Sequence, residues 1–376
     1  MKFIQVVSNK TILNQAKIKV VYVTTDSFMD HSYTIAKYLS RIVDIKVFIL
    51  GREKTEEINE ICNKLNAEFI ERPRYRNPFA FLFELSFLNK LRKLKADIVW
   101  FDSLSLLKSL FVNLYLKKYL VNIHDFDFHP NEKDYQGVIA HKLTYKLHKK
   151  RICTVSYTQA GIFKKRYGLI PRVFQLPIID YYLDSGDKDS VPNEKENDIT
   201  KFFFFSSIER YKRIEVLIEA AEILEKKNVP YRLNVYGKLK YNETDISNRI
   251  NSLKNVNLIN TYINYKKVHK LYSENDVLIL PYTQVTQCGP LLIGYSEGIP
   301  SICNDLPGFR EYVEEGKSGI FFDGTAQDLA DKMEYILNNR VKIKEMSEYI
   351  KTVTYKKFSM EWLNDKYVEN FKIIEK

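Results

Sequence analysis

Residues 283–302 read TQVTQCGPLLIGYSEGIPSI, a polar, uncharged loop that turns apolar around Gly289 and Pro290 in a chain where 28 % of residues are charged. A loop running into a helix leaves N–H groups without intrahelical partners, and the helix dipole adds positive potential, so the chemistry on offer is the seating of a phosphate. Pro290 suits the first helical turn, where its missing N–H costs nothing. A second group, Arg210, Lys212 and Arg213, lies between a strand-like and a helical run in FFSSIERYKRIEVLIEA. An ammonium there can follow the charge that develops on a departing diphosphate; a solvated helix start would carry the same residues. A third group closes an apolar run in NIHDFDFHPNE, with His124 and Asp125 at its end and His129 beyond. Polar groups at the carboxyl end of a strand favour chemistry over packing, although a lone histidine is more often a satisfied structural residue.

Weaker signals surround these. Asp125 and Asp127 form a DxD pair that could hold a divalent ion against a diphosphate, but that arrangement belongs to folds with one nucleotide-binding domain and leaves the second half of the chain unexplained. In TTDSFMDHSY (24–33), Asp30 and His31 could reach a cleft, or be ordinary surface polar residues. The acceptor-side candidates are therefore Asp125, His129 and His31. Cys288 has no histidine near it in sequence and reads as a small residue that permits close phosphate approach rather than as a nucleophile.

The elements that must position these groups follow one rhythm. Short β-branched runs alternate with amphipathic stretches, the pattern of βαβ units. Strands are expected at 18–25, 45–50, 96–103, 119–125 and 152–158, and again at 201–207, 232–238, 255–261, 276–282 and 299–305. Between the two sets, DSGDKDSVPNEKEND (184–198) is polar and free of aromatics, as a linker is. The expected fold is α/β: two doubly wound Rossmann-like domains facing each other across a cleft, over residues 1–183 and 199–355. A closing helix over 356–376, with Trp362 as its apolar anchor, should cross back to the first domain.

Composition narrows the class. With 376 residues and 45 % hydrophobic content, two cores can form. Four scattered cysteines fit a reducing compartment. No apolar run reaches a membrane span or a secretory signal, so a cytoplasmic place is expected. Residues 1–180 hold 30 Lys+Arg against 17 Asp+Glu, and residues 181–376 hold 28 against 30. The basic first half calls for an anionic partner. Its stretch 72–96, with Arg72, Arg74, Arg76 and a basic end, reads equally as a helix on an anionic membrane or as a crossover helix packed on the sheet. No nucleic-acid recognition motif accompanies the charge.

Taken together, SSIERYKRIEVLIEAAEIL and NDVLILPYTQVTQCGPLLIGYSEGIPSICNDLPGFREYVEEGKSGIFF resemble the donor domain of retaining glycosyltransferases of family four, which have the GT-B fold. The resemblance covers roughly residues 200–340, and the first domain more loosely through VNIHDFDFHPNE. It implies a metal-independent transfer, with retention, of a sugar from a nucleotide diphosphate-sugar, UDP rather than GDP, to a glycan or lipid-linked acceptor, without any other cofactor. By that resemblance Lys212 binds the diphosphate. Thr286, Gln287, Cys288, Gly289 and Pro290 bind the phosphates through backbone N–H groups, Glu311 sits near the donor, and His124 lies beside the transferred sugar. The pair of glutamates common in the family is replaced by Val285 and Ile293, and a usual arginine by Ser207, for which Arg210 could substitute. The TQ-small-G loop is similar to that of a branch without the glutamates. Glu297, one turn further on, reads as a solvated helix residue. The competing readings are a degenerate binding or scaffold subunit and a UDP-sugar 2-epimerase.

Overall fold

A computed structural model describes residues 17–74, 77, 79–125, 135–186 and 199–372. The buried apolar runs of the sequence become the strands of two all-parallel sheets. The first contains β1 (Lys19–Thr25), β2 (Asp44–Gly51), β3 (Glu68–Glu71), β4 (Ile98–Phe101), β5 (Tyr119–Ile123), β6 (Ile152–Thr154) and β7 (Arg172–Val173), in the order β3-β2-β1-β4-β5-β6-β7. The second contains β8 (Lys201–Phe205), β9 (Arg232–Tyr236), β10 (Val256–Ile259), β11 (Val277–Leu280), β12 (Ser301–Asn304) and β13 (Gly319–Phe322), in the order β10-β9-β8-β11-β12-β13. Strands such as β4 and β11 are buried along their whole length, as strands covered by helices on both faces must be. β3, β7 and β13 have no counterpart among the expected strands. β3 and β7 are short and half-buried, and so carry little apolar signal.

Each sheet is a Rossmann-like layer whose strand order reverses once, between β1 and β4 in the first and between β8 and β11 in the second. Ligands of open α/β sheets bind outside the carboxyl ends of the strands at such a reversal.

The segment that joins the two layers is part of the core. Phe174, Leu176, Ile178 and Ile179 are buried; the Ile178 amide donates to the Phe358 carbonyl at 2.9 Å and the Ile179 amide to that of Leu292 at 3.3 Å. The helix Tyr181–Ser185 then packs on the helix Tyr265–Ser273. Asp184, expected in the linker, instead accepts from Lys37 at 2.6 Å and from Tyr33 at 3.1 Å; residues 187–198 lie outside the described ones.

The closing helix Met360–Lys372 returns to the first sheet. Tyr367 and Phe371 pack edge-on against Trp100, and the Tyr367 hydroxyl donates to the Gln175 carbonyl at 2.9 Å. Its anchor is not Trp362, which is 63 % exposed, but Met360, Leu363, Tyr367 and Phe371. These four recur at helical spacing on one face, and Trp362 falls on the other.

The helix Ala80–Lys93 is the crossover between β3 and β4. It buries Phe87, Leu88 and Leu91 on the sheet while leaving Phe81 and Leu82 exposed. Among the described residues no helix is long and apolar enough to cross a membrane.

Candidate active site

The second domain builds its wall of the cleft from two loops, one after β8 and one after β11. The chain leaves β8 through Ser206 and Ser207, makes a tight turn over Arg210–Lys212, and enters the helix Ile214–Lys226 with Arg213 in the left-handed region. Lys212 is folded inward and almost fully buried; its ammonium donates to the Ser206 hydroxyl and, at 2.8 Å, to the Ser207 carbonyl. Burial pulls its pKa down, partly opposed by Glu209. Gly237, at the end of β9, has φ +141°, and a Cβ there would stand 1.8 Å from the Ser206 carbonyl oxygen. Glycine is what lets β9 close against the lysine's own loop.

The loop after β11 is tied to the same turn, since the Thr283 amide donates to the Tyr211 carbonyl at 2.8 Å. It runs into the helix Gly289–Ser296, which has Pro290 in its first turn and no side chain capping its N-terminus. Its first amides are therefore left without a partner inside the helix. Gly308 supports the loop from below, where a Cβ would meet the Val285 carbonyl oxygen at 2.3 Å. Burial pushes the Cys288 thiol up to about 12, so it stays a neutral, small N-cap residue. Ile293, on the following helix, is buried.

The first domain answers with side chains. His124, just past β5, is buried, with Phe28 stacked on its ring at 4.0 Å and the His31 ring 5.5 Å away. His31, which could have been a surface residue, is instead buried on the helix Met29–Leu39, its Nδ1 3.3 Å from Asp30. Burial resists ionisation of Asp30, but His31 outweighs it and holds the carboxyl below its usual range.

Between the histidines lies Asp102, at the end of β4. Its carboxylate accepts from the Tyr22 hydroxyl at 2.6 Å, the Asn122 amide at 3.0 Å and the Ser32 hydroxyl at 3.2 Å, and lies 3.6 Å from His124 Nε2. Burial alone would raise its pKa; the neighbouring His124 imidazole, and after it the charge of His31, reverse this and hold it well below the carboxylate range. Such a network keeps a buried carboxylate ionised.

The two walls touch. The Gln287 amide nitrogen lies 3.2 Å from His124 Nδ1, and the Thr286 hydroxyl donates to Asp125. His124, Asp125, His31, Thr286 and Gln287 are thus brought together, with Lys212, Cys288, Gly289 and Pro290 behind them on the second wall.

Two candidates, Arg210 and Glu311, and one residue read as solvated, Glu297, behave differently. Arg210 is exposed, its guanidinium 5.1 Å above the Tyr241 ring. Glu311 is engaged elsewhere: its two oxygens accept from the backbone amides of Tyr157 at 3.0 Å and Thr158 at 3.1 Å. In this conformation it therefore caps the helix Tyr157–Tyr167 of the first domain instead of facing the loop at 286–290. Glu297 is not solvated; its side chain is buried and lies 2.6 Å from His269 Nδ1. His129 and Asp127 lie outside the described residues.

Asp102 was missed by the sequence reading, although ADIVWFDS carried the same signal as NIHDFDF, a polar residue at the carboxyl end of an apolar run. Asn122 and Ser32 gave no comparable signal. Ligand atoms of His31, Asp102 and His124 lie within 4.8 Å of one another, and both histidine Nε2 atoms are buried without a hydrogen-bond partner. This group could hold a cation, or it could present an imidazole, oriented and charge-stabilised by Asp102, to a substrate.

Residues 186–353 match the model of a family described as glycosyl transferases group 1. Among solved structures, the chain is similar to a glycosyltransferase from Rickettsia africae, with TM-score 0.75 and 18 % identity over 96 % of this chain and 99 % of that one. It is also similar to HepE from Anabaena in complex with UDP and glucose, with TM-score 0.71 and 12 % identity over 94 % and 99 % of the two chains. A third similar structure is the apo form of the lipopolysaccharide outer core galactosyltransferase WaaB, with TM-score 0.63 and 15 % identity over 94 % and 99 %. No curated protein matches the chain in sequence. At these identities the likeness shows the fold, which is GT-B.

Proposed function

We propose that this chain is a retaining glycosyltransferase that moves a sugar from a UDP-sugar to a hydroxyl of a glycan or lipid-linked acceptor in the assembly of a surface polysaccharide or glycoconjugate. The observation that carries this reading is the meeting of an uncapped helix N-terminus at Gly289, with Lys212 behind it, and a buried His124–Asp102 pair across the cleft. The amides and Lys212 stabilise the leaving diphosphate, whose charge grows in the transition state. His124 lines the reacting face of the sugar. The departing phosphate takes the acceptor proton, so no separate carboxylate base is required. The group 1 match over the second domain and the UDP bound in the Anabaena structure support a nucleotide-sugar donor.

Metal independence belongs to the same proposal. So does a cytoplasmic place at the inner membrane face, for which the support is one surface of the first domain. Phe81 and Leu82 on the helix Ala80–Lys93, and Leu110 and Leu114 on the helix Leu106–Tyr115, are exposed, as are Lys93 at the end of the first helix and Lys117 and Lys118 just after the second. Apolar side chains among cations suit an anionic bilayer.

The test is calorimetric titration of UDP and GDP, with and without EDTA, into the wild type and Lys212→Ala, followed by product analysis with the donor that binds. EDTA-insensitive binding of UDP, weakened by the substitution, is the expected result. EDTA-sensitive binding would overturn metal independence and direct attention to His31, Asp102 and His124. Binding of neither nucleotide would favour a scaffold role, and release of a free epimeric sugar without acceptor would favour an epimerase.

A further inference from the structure

A separate cavity of about 590 Å³ opens at the carboxyl edge of the first sheet, on the first domain alone. Its walls are the end of β1, the chain leaving β2 at Arg52, Arg72 after β3, and the first turn of the helix Leu106–Tyr115 with Lys108. Arg52, Arg72 and Lys108 line it, and among the described residues no aspartate or glutamate does. It adjoins the reaction centre through Thr24, which also lines it: the Thr24 hydroxyl is 2.7 Å from that of Ser32, which reaches Asp102.

The cations are unequally compensated. Lys108, 2 % exposed, lies 3.3 Å from Glu84, whose other oxygen accepts from Ser105 at 2.9 Å. Burial lowers the Lys108 pKa; Glu84 works against this and the Arg72 charge adds to it, so the two cations repel across the cavity wall. Among the described residues Arg72 pairs only with Asp26, 3.9 Å away, and its Nε is buried without a hydrogen-bond partner. Arg52 is exposed and makes no ion pair among the described residues. The amides of Leu106 and Leu107 begin the helix and have no partner within it.

We propose that this cavity binds the phosphate or diphosphate group of the acceptor. Two guanidinium forks and a buried ammonium around one hollow match an anion of more than one charge better than a single carboxylate. The volume leaves room for a diphosphate and part of the group it carries. The donor's phosphates have their own seat at Gly289 and Lys212 on the opposite wall, so an anion here belongs to the other substrate. The word acceptor rests on the transferase reading; the anion site does not.

The experiment titrates inorganic pyrophosphate, and separately UDP, into the wild type, the double variant Arg52→Gln/Arg72→Gln, and Lys212→Ala. Both arginine side chains reach solvent, and thermal unfolding checks that the variant is folded. Pyrophosphate should bind the wild type at two places. The double variant should lose at least about tenfold in affinity at one of them with UDP binding unchanged, and Lys212→Ala should show the reverse. A pyrophosphate isotherm unaltered by the arginine substitutions, with UDP binding intact, overturns the anion site and leaves the transferase reading standing. Arginine-dependent pyrophosphate binding in a wild type that binds no UDP keeps the site and overturns the transferase reading. Sedimentation with phosphatidylglycerol and with phosphatidylcholine vesicles distinguishes the sources. Arginine-dependent retention on phosphatidylglycerol identifies a lipid headgroup, and loss of pyrophosphate binding alone identifies a free phosphate group.

Discussion

The two walls of the cleft stand at equivalent places in their sheets and offer opposite kinds of chemistry. At the reversal between β1 and β4 the first domain presents buried titratable side chains, His31, Asp102 and His124, held by Tyr22, Ser32 and Asn122. At the reversal between β8 and β11 the second domain presents an uncapped helix start, with one lysine folded against Ser206 and Ser207. A backbone cradle depends on the path of the chain and not on side-chain identity. On the proposed function, that is why apolar residues at Val285 and Ile293 are compatible with a phosphate seat at this loop. A side-chain network has no such tolerance, because each buried polar group left unpaired is costly.

The sharpest way to break the comparison is at its one charged exception. Lys212→Ala should lower turnover by about 10²–10³-fold and weaken UDP binding, as read from initial rates and calorimetry. His124→Ala, on the other wall, should lower kcat by about 10²-fold and leave UDP affinity unchanged. Equal losses of UDP affinity in both variants would erase the division of labour between the walls.

Asp102→Asn tests whether the first wall works as a network. A loss of about tenfold in kcat is expected, with about 2 kcal/mol of stability, measured by urea unfolding. Because the Asp102 pKa is depressed in the folded state, its stabilisation is present above the ordinary carboxylate pKa, near about 4. It is lost as pH falls from there toward the lower folded value. The gap in stability between wild type and Asp102→Asn should therefore be full at pH 7 and shrink below about pH 4.

The smallest effect concerns what joins the walls. Glu311→Ala leaves the Ser156 N-cap in place but removes the acceptor of the Tyr157 and Thr158 amides at the start of the helix Tyr157–Tyr167, and should cost about 1 kcal/mol. It should also widen the distribution of cleft openings seen by small-angle scattering, with UDP affinity nearly unchanged. A large loss of UDP affinity would return Glu311 to the donor site.

Much of this was legible before any coordinates. The period of the apolar runs predicts ten of the strands, and the order of turns, prolines and glycines marks the loop at 283–290, because these signals are local: they reflect what each stretch of backbone can do by itself. The same local reading missed β3, β7 and β13 and misplaced the closing helix's anchor at Trp362, since a bulky apolar side chain does not say which face of its helix will be covered. It also took Glu297 for a solvated residue, because its partner His269 lies on another helix.

The sequence by itself determined two alternating α/β halves, the polar loop at 283–290 that opens a helix, and a basic first half beside a nearly neutral second. Only the tertiary structure decided that Asp102, three strands' worth of chain from His31 and a helix away from His124, completes their group, and that Glu311 faces a helix of the other domain. It also decided that Arg52, Arg72 and Lys108 share one hollow. These depend on strand order, and a parallel sheet brings distant chain segments to one edge through crossovers whose order no local pattern records.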